Sequence, residues 1–327
     1  MRRVWPASTL MTFAFALPLV GLPGMPSKSI ARSPSVSVEE FPLPHPDSRP
    51  YTIVTGRNGN LWFTESDRGV IGEISREGQV KEHPLPDPES GPYGITVDAA
   101  GNIWFTERFA NMIGKLTPHG VLTEYLVPTE NAQPWDITAL PDGTLWFTEE
   151  NVDQVAVIDQ TGYVTEWPTG IGTLPTFIAT GSDGNIWFTE ELGNKIVRLI
   201  PDEIPEMTEF PLLTEGALPW DINLGPDGNL WFTELAGRHI GKITTHGVIT
   251  EYLVPGEYGI AGIAGGRDDR LWFTENDSGK VGWINTRGEV GQSFFTGSYP
   301  FAITKGPDGN MWFCIGYGNA IGRVNLP

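Results

Sequence analysis

Gly101-Asn102-Ile103-Trp104-Phe105-Thr106-Glu107 decides how this chain is read, because it is one of a series. Trp-Phe-Thr-Glu recurs at Trp62, Trp104, Trp146, Trp187, Trp231 and Trp272, and a degenerate copy, Trp312-Phe313-Cys314-Ile315, ends the series. The steps between copies are 42, 42, 41, 44, 41 and 40 residues. A fixed period of this length marks a repeat architecture. Around the motif, residues 91–129 read as one unit. Pro92-Tyr93-Gly94-Ile95-Thr96-Val97 is a short strand, and Ala100-Gly101-Asn102 turns it into the motif strand. Ile113-Gly114-Lys115-Leu116 is a third strand, turned by Pro118-His119-Gly120, and Val121-Leu122-Thr123-Glu124-Tyr125-Leu126-Val127 is a fourth. No segment carries an apolar 3.6-residue period, and the Gly-Asn and His-Gly turns would break a helix. Four short strands per repeat make a propeller blade. The chain is therefore expected to be all-β, a seven-bladed β-propeller of four-stranded blades.

The last unit stops after its third strand, near Asn325. Val36-Ser37-Val38-Glu39-Glu40-Phe41-Pro42-Leu43-Pro44 resembles the missing fourth strand, as comparison with residues 248–255 shows. The N-terminal strand is expected to complete the last blade and so remove exposed sheet edges.

The aromatic supply, 12 Trp and 16 Phe in 327 residues, suffices for a large core, and 40 Gly with 28 Pro suit many tight turns. Residues 1–33 differ from the rest. Arg2 and Arg3 precede an apolar run from Leu10 to Leu22, then a Pro/Ser/Lys stretch. This pattern reads as a signal peptide, cut somewhere between about residue 21 and residue 33. It leaves residues 34–327 as a single domain, secreted or periplasmic, with no stable membrane insertion and expected to be a monomer. A net charge of −19 excludes nucleic acid as a partner, because phosphate-neutralising cations are lacking. The single cysteine, Cys314, excludes an intramolecular disulfide and reads as a small buried hydrophobe.

Propellers bind ligands where loops converge on the central channel. The residue after each opening proline is Tyr51, Tyr93, Trp135, Thr176, Trp220 or Phe301, with Ala261 in the sixth unit. Asp136 and Asp221 follow two of these, and Glu150 and Glu191 follow two copies of the motif. The candidate ligand-binding residues are thus Tyr51, Tyr93, Trp135, Asp136, Glu150, Glu191, Trp220, Asp221 and Phe301. Aromatic walls with polar anchors suit a small molecule or a peptide. The acids suit a cation or acid–base work, and the alternative is that the aromatics plug a narrow channel. The motif glutamates Glu65, Glu107, Glu149, Glu190, Glu234 and Glu275 recur at one position per blade. That regularity favours a structural role, each accepting backbone N–H groups of a neighbouring blade, over a metal funnel. His45, His83, His119, His239 and His246 fall in turns, loops and outer strands, and no two stand at metal-ligand spacing.

The repeat Pro-x-Gly-Ile-Thr, Gly-Asn-Ile-Trp-Phe-Thr-Glu, Asn-x-Ile-Gly-Lys, Gly-x-x-Thr-Glu-Tyr closely resembles the virginiamycin B lyase (streptogramin lyase) family, from about residue 36 to the end. The resemblance implies a seven-bladed propeller and a carbon–oxygen lyase that opens type B streptogramins by Mg²⁺-assisted elimination at an ester, linked in its characterised members to antibiotic resistance. Such enzymes are monomeric and cytoplasmic. It also implies a site: two histidines after the opening prolines of adjacent blades, one carboxylate two residues before a histidine, and another just after the Trp-Phe motif. None of the seven post-proline positions here is a histidine. In the last two blades Ala261 and Phe301 stand at the histidine positions, and Tyr299 and Gly316 at the carboxylate positions, so the Mg²⁺ ligands are not matched. The expected function is a secreted lyase-like propeller without the lyase site, binding a small molecule or peptide at the channel mouth. The alternatives are an active lyase, or a metal-dependent lactonase or esterase using Asp136, Asp221, Glu150 and Glu191.

Overall fold

The computed structural model describes residues 36–256, 259–297 and 299–326. The expected signal peptide lies outside these residues. Seven antiparallel four-stranded sheets form seven blades. Blade 1 runs through Pro50–Thr55, Leu61–Glu65, Val70–Ile74 and Val80–Pro84, and the later blades repeat this order to the last, which begins at Pro300–Lys305. Successive innermost strands touch one another, and the seventh touches the first, so the ring is closed. Among the described residues no helix is long and apolar enough to cross a membrane.

The N-terminal strand Ser37–Pro42 pairs antiparallel with Ala320–Asn325, from Ser37 opposite Asn325 to Pro42 opposite Ala320. The expected closure of the last blade is therefore present. Its side chains also copy the other blades. The motif Trp stacks on an outer-strand aromatic in Trp104–Tyr125, Trp146–Trp167, Trp187–Phe210 and Trp231–Tyr252. In blade 7 the partner of Trp312 is Phe41, 5.3 Å away and nearly parallel.

Each residue of the motif has a separate task. In five blades the Trp indole N–H ties down the preceding turn, as Trp104 Nε1 does on Asp98 Oδ2 at 2.9 Å, and in Trp146 and Trp272 it has no partner. The Phe is fully buried and lies over the third strand, where a Cβ on Gly114 would come within 2.1 Å of the Phe105 ring. That close approach explains the glycine in Ile-Gly-Lys. The Thr joins blades. Every innermost strand shifts register just after its first residue, as between Pro92 and Ile95. A bulge of this kind leaves backbone groups unpaired. Thr106 Oγ1 accepts the freed Gly94 N–H at 2.9 Å and donates to the Trp135 carbonyl of the next blade at 2.8 Å. Thr64, Thr189, Thr233 and Thr274 reach Tyr93, Trp220, Ala261 and Phe301 in the same way, and Thr148 donates to Thr176.

At the seventh junction the residue is Cys314, fully buried as the sequence implied. A thiol is a weak donor and acceptor. Cys314→Thr should therefore restore the missing link and add about 1 kcal/mol, the net worth of one buried hydrogen bond. The expected result is a rise in Tm of about 3 °C. An unchanged or lower Tm would show that this junction cannot seat the hydroxyl.

Candidate functional site

The bulges turn the residues after the opening prolines toward the channel axis, and there they meet. Tyr51 and Tyr93 have ring centroids 4.5 Å apart, Tyr93 and Trp135 5.2 Å, and Tyr51 and Phe301 5.1 Å. Trp135 and Trp220 are 5.6 Å apart, which carries the contact across the channel. Phe177 joins at 5.4 Å from Trp220. It comes from one position later than Thr176, the residue on which the sequence pattern fell. Tyr51, Tyr93, Trp135 and Phe177 are buried, and Trp220 and Phe301 keep part of their surface open. The space left among Tyr51, Phe177, Trp220 and Phe301 is about 10 Å³, at the limit for a single water. The aromatic residues thus form a layer across the channel rather than an open funnel.

The four candidate acids do not gather at one point. Asp136 and Asp221 line a separate cavity of about 280 Å³ with Thr96, Thr138, Thr180 and Asn223, further along the innermost strands. Asp136 accepts the Ile178 N–H at 3.2 Å and Asp221 the Ile263 N–H at 2.8 Å, so each ties its blade to the next. Burial pushes Asp136 up to about 8 and Asp221 up to about 7, against those backbone hydrogen bonds. Glu150 and Glu191 belong to the rim. Glu150 pairs with Arg108, whose guanidinium lies 4.3 Å over the Trp135 ring and 5.2 Å over Tyr93. Burial raises Glu150 above the usual carboxylate range, with Arg108 opposing. Burial also raises Glu191, and the Glu150 charge adds to it. Arg108 is thus a central residue of the rim that the pattern of aromatics and acids did not single out. The signal was its place next to the motif, shared with Glu150 and Glu191.

The rim itself is uniform. The residue two before the post-proline position is left-handed in every blade, including Arg49, Leu174, Leu218 and Tyr299. Its carbonyl accepts the N–H of the residue after the motif, as Gly91 does from Arg108 at 2.8 Å and Leu174 from Glu191 at 2.9 Å. These hydrogen bonds fix where each rim side chain starts.

At the positions implied for the lyase chemistry the geometry is aromatic. Ala261 is almost fully buried, and its carbonyl accepts from Thr233. Tyr299 and Tyr317 make an edge contact at 4.8 Å. A Cβ on Gly316 would stand 2.9 Å from the Phe301 ring. A side chain at residue 316 would therefore require the Phe301 ring to shift. The implied positions in this corner carry no histidine and no carboxylate, and no step is derived through Mg²⁺.

The ring of motif glutamates departs from expectation. All six are buried. No carboxylate oxygen of Glu65, Glu107, Glu149, Glu190 or Glu234 has a hydrogen-bond partner, so the expected bonds from neighbouring backbone N–H groups are not made. Burial instead pushes Glu65 and Glu107 up to about 7 and Glu149 up to about 8, and the outer-strand carboxylates Glu82, Glu124 and Glu166 add to the rise. In blade 4 a cation stands between the two acids: Lys195 Nζ is 2.8 Å from Glu209 and 3.6 Å from Glu190. In blade 6 the outer acid is replaced by Ser293, whose hydroxyl donates to Glu275.

Comparisons with known proteins agree with this architecture. The model of the virginiamycin B lyase family matches residues 36–259 and 174–327. A streptogramin B lyase structure is similar over 89% of this chain and 98% of its own, with 36% identity and a TM-score of 0.85. Virginiamycin B lyase from Staphylococcus aureus is similar over 90% of this chain and 100% of its own, with 33% identity and a TM-score of 0.84. A catalytically inactive histidine-to-alanine variant of that enzyme, with quinupristin, has the same identity and coverage and a TM-score of 0.85. A gluconolactonase-like structure, at 13% identity and a TM-score of 0.60, shares the fold alone. A comparison with curated proteins finds no match. With its repeat, its closed ring of seven blades and a family model covering nearly all of the described residues, the chain belongs to the virginiamycin B lyase family.

Proposed function

We propose that this protein is an exported member of the family that has lost the lyase site and binds a small molecule or peptide on the rim of the closed channel. The observation that carries the loss is the Phe301–Gly316 corner. The ring of Phe301 crowds the position beside Gly316, and Ala261 supplies no base. One inactive relative differs from the active enzyme by a histidine-to-alanine change, and here the equivalent positions carry no imidazole. General-base abstraction of a proton beside an ester carbonyl needs a group that titrates near neutrality within hydrogen-bond reach.

Binding is supported by what the rim offers. Trp220 and Phe301 are partly open, Trp220 packs against Trp135, over which Arg108 lies paired with Glu150, and Phe109, Leu192 and Tyr317 are exposed. An apolar surface with a few fixed charges suits an organic ligand. Export rests on the leader pattern in residues 1–33. The lactonase or esterase alternative is disfavoured because its four acids divide into two pairs with different surroundings.

The lyase test is direct. Quinupristin incubated with the protein and Mg²⁺ should remain cyclic, with no linear product by mass spectrometry. Ring-opened product at a rate above the buffer control would overturn the loss of the site. The binding part is tested with a set of cyclic peptides and small organic molecules. A hit should bind at least ~10-fold more weakly to Trp220→Ala, the order expected for removing one aromatic contact. Unaltered affinity would place binding elsewhere.

A further inference from the structure

We propose that Glu234, His239 and Glu251 form a transition-metal site, of the zinc class, that clips together the second, third and fourth strands of blade 5. The three residues come from Leu230–Glu234, His239–Ile243 and Ile249–Leu253. One donor atom from each lies within 4.8 Å of the other two. Glu234 Oε2 and His239 Nδ1 are 3.3 Å apart. Bonds of ~2.0–2.2 Å to nitrogen and oxygen place tetrahedral ligand atoms about 3.3–3.5 Å apart. The pair therefore already has the spacing of two ligands on one ion.

The donors are free to coordinate. The Glu234 side chain is fully buried, and neither of its oxygens has a hydrogen-bond partner. His239 Nδ1 is buried and also lacks one. A buried carboxylate left in this state is costly unless a cation or a proton joins it. Glu251 is held in place by its surroundings. Its Oε1 accepts from the Leu213 and Thr214 N–H groups at 2.7 and 3.3 Å, and its Oε2 from the Thr214 hydroxyl at 2.7 Å. A carboxylate has about four acceptor sites, so one remains for a metal. Hydrogen bonds of this kind orient a ligand and strengthen it.

The other blades act as internal controls. The equivalent third-strand position is Val70, Met112 and Gln154 in blades 1 to 3. In blade 4 it is Lys195, whose ammonium sits between Glu190 and Glu209. The fold therefore already places a cation between these two carboxylates. Blade 5 replaces that cation with an imidazole, which can bring one in. Two carboxylates also balance a divalent ion. An imidazole with only two carboxylates suits Zn²⁺, Co²⁺ or Ni²⁺ better than Mg²⁺ or Ca²⁺, which favour all-oxygen sets.

The test uses the untagged full chain, stripped with a chelator and titrated with Zn²⁺ alone, Co²⁺ alone and Mg²⁺ alone. Zn²⁺ should bind at one ion per chain in calorimetry and raise Tm by about 5 °C when well above its Kd. Co²⁺ should give the visible absorption of a low-symmetry nitrogen–oxygen site, and Mg²⁺ should do neither. His239→Lys copies blade 4 and should fold, and it should lose the stoichiometric Zn²⁺ and the Co²⁺ spectrum. Glu251→Gln should weaken Zn²⁺ at least ~10-fold, in line with the loss of a ligand. No Zn²⁺ binding by the native chain, or binding undiminished in His239→Lys, would overturn the proposal.

Discussion

A chain that begins at residue 45 is expected to melt at least ~10 °C below one that begins at residue 34. The difference is the strand Ser37–Pro42 with the segment that follows it. Its removal takes away every ladder pair from Ser37–Asn325 to Pro42–Ala320. It also uncovers Trp312, which stacks on Phe41, and Arg323, whose guanidinium lies 5.2 Å over the Phe41 ring. Leu43, 7% exposed in the ring, leaves the core as well. Burial of a Phe and a Leu is worth about 1.5–3 kcal/mol each. Six residues of lost pairing and an uncovered edge add to this, so a loss of about 5 kcal/mol is expected, with each kcal/mol moving Tm by roughly 2–4 °C at this size. The exposed edge should also promote aggregation. Phe41→Ala in the longer chain separates stacking from pairing and should recover part of the drop. Equal melting temperatures for the two chains would mean that the ring is held shut by the innermost strands alone.

How much of this was legible in the sequence depends on whether a feature rests on periodicity or on one bulge. Period, blade number and closure rest on strand pairing. A strand six residues long has a two-residue alternation that a reader can follow, and Phe41 stands where Tyr125 and Tyr252 stand. The channel contents rest on the bulge after each opening proline. In the bulge of blade 4 the residue after the proline is Thr176, and Phe177, one position later, enters the aromatic layer in its place. Bulges of the same kind aim Asp136 and Asp221 at the backbone of the next blade. A motif shows that these residues are adjacent, not which way they turn. The surroundings of the glutamate ring departed from expectation for another reason. Its partners Glu82, Glu124, Glu166, Glu209 and Glu251 are a second regular column, in Thr-Glu-Tyr and its variants. Glu166 lies opposite Ala156, and Glu149 lies opposite Gln154, two residues along the same third strand, so the two carboxylates meet diagonally across it. Two columns of like charge meeting in five of the seven blades is a result of folding that composition does not show.

That meeting sets the pH dependence of the fold. Glu65, Glu107 and Glu190 are pushed up to about 7 and Glu149 up to about 8, chiefly by burial, and Asp136 and Asp221 up to about 8 and about 7 for the same cause. In the unfolded chain such acids titrate near 4. The folded state therefore holds protons that the unfolded state releases, and its stability falls as pH rises between these limits. The contribution is fully present below about pH 4 and is lost as pH climbs through 7 and 8. Each tenfold difference in proton affinity is worth about 1.4 kcal/mol. With six groups acting in one direction, Tm should drop by at least ~10 °C between pH 5.5 and pH 9. The surface charge acts in the same direction, since the chain carries a net −19. Salt separates the two, because exposed repulsion is screened and buried titration much less so. Glu149→Gln is the sharper control. Glu149 lies buried beside Glu166, and a neutral amide there should change Tm little at pH 5.5 and raise it at pH 9. A protein whose Tm is flat or rising from pH 5.5 to 9 in high salt would show that the paired glutamates are ionised in the folded state, with cations held between them as Lys195 is held between Glu190 and Glu209.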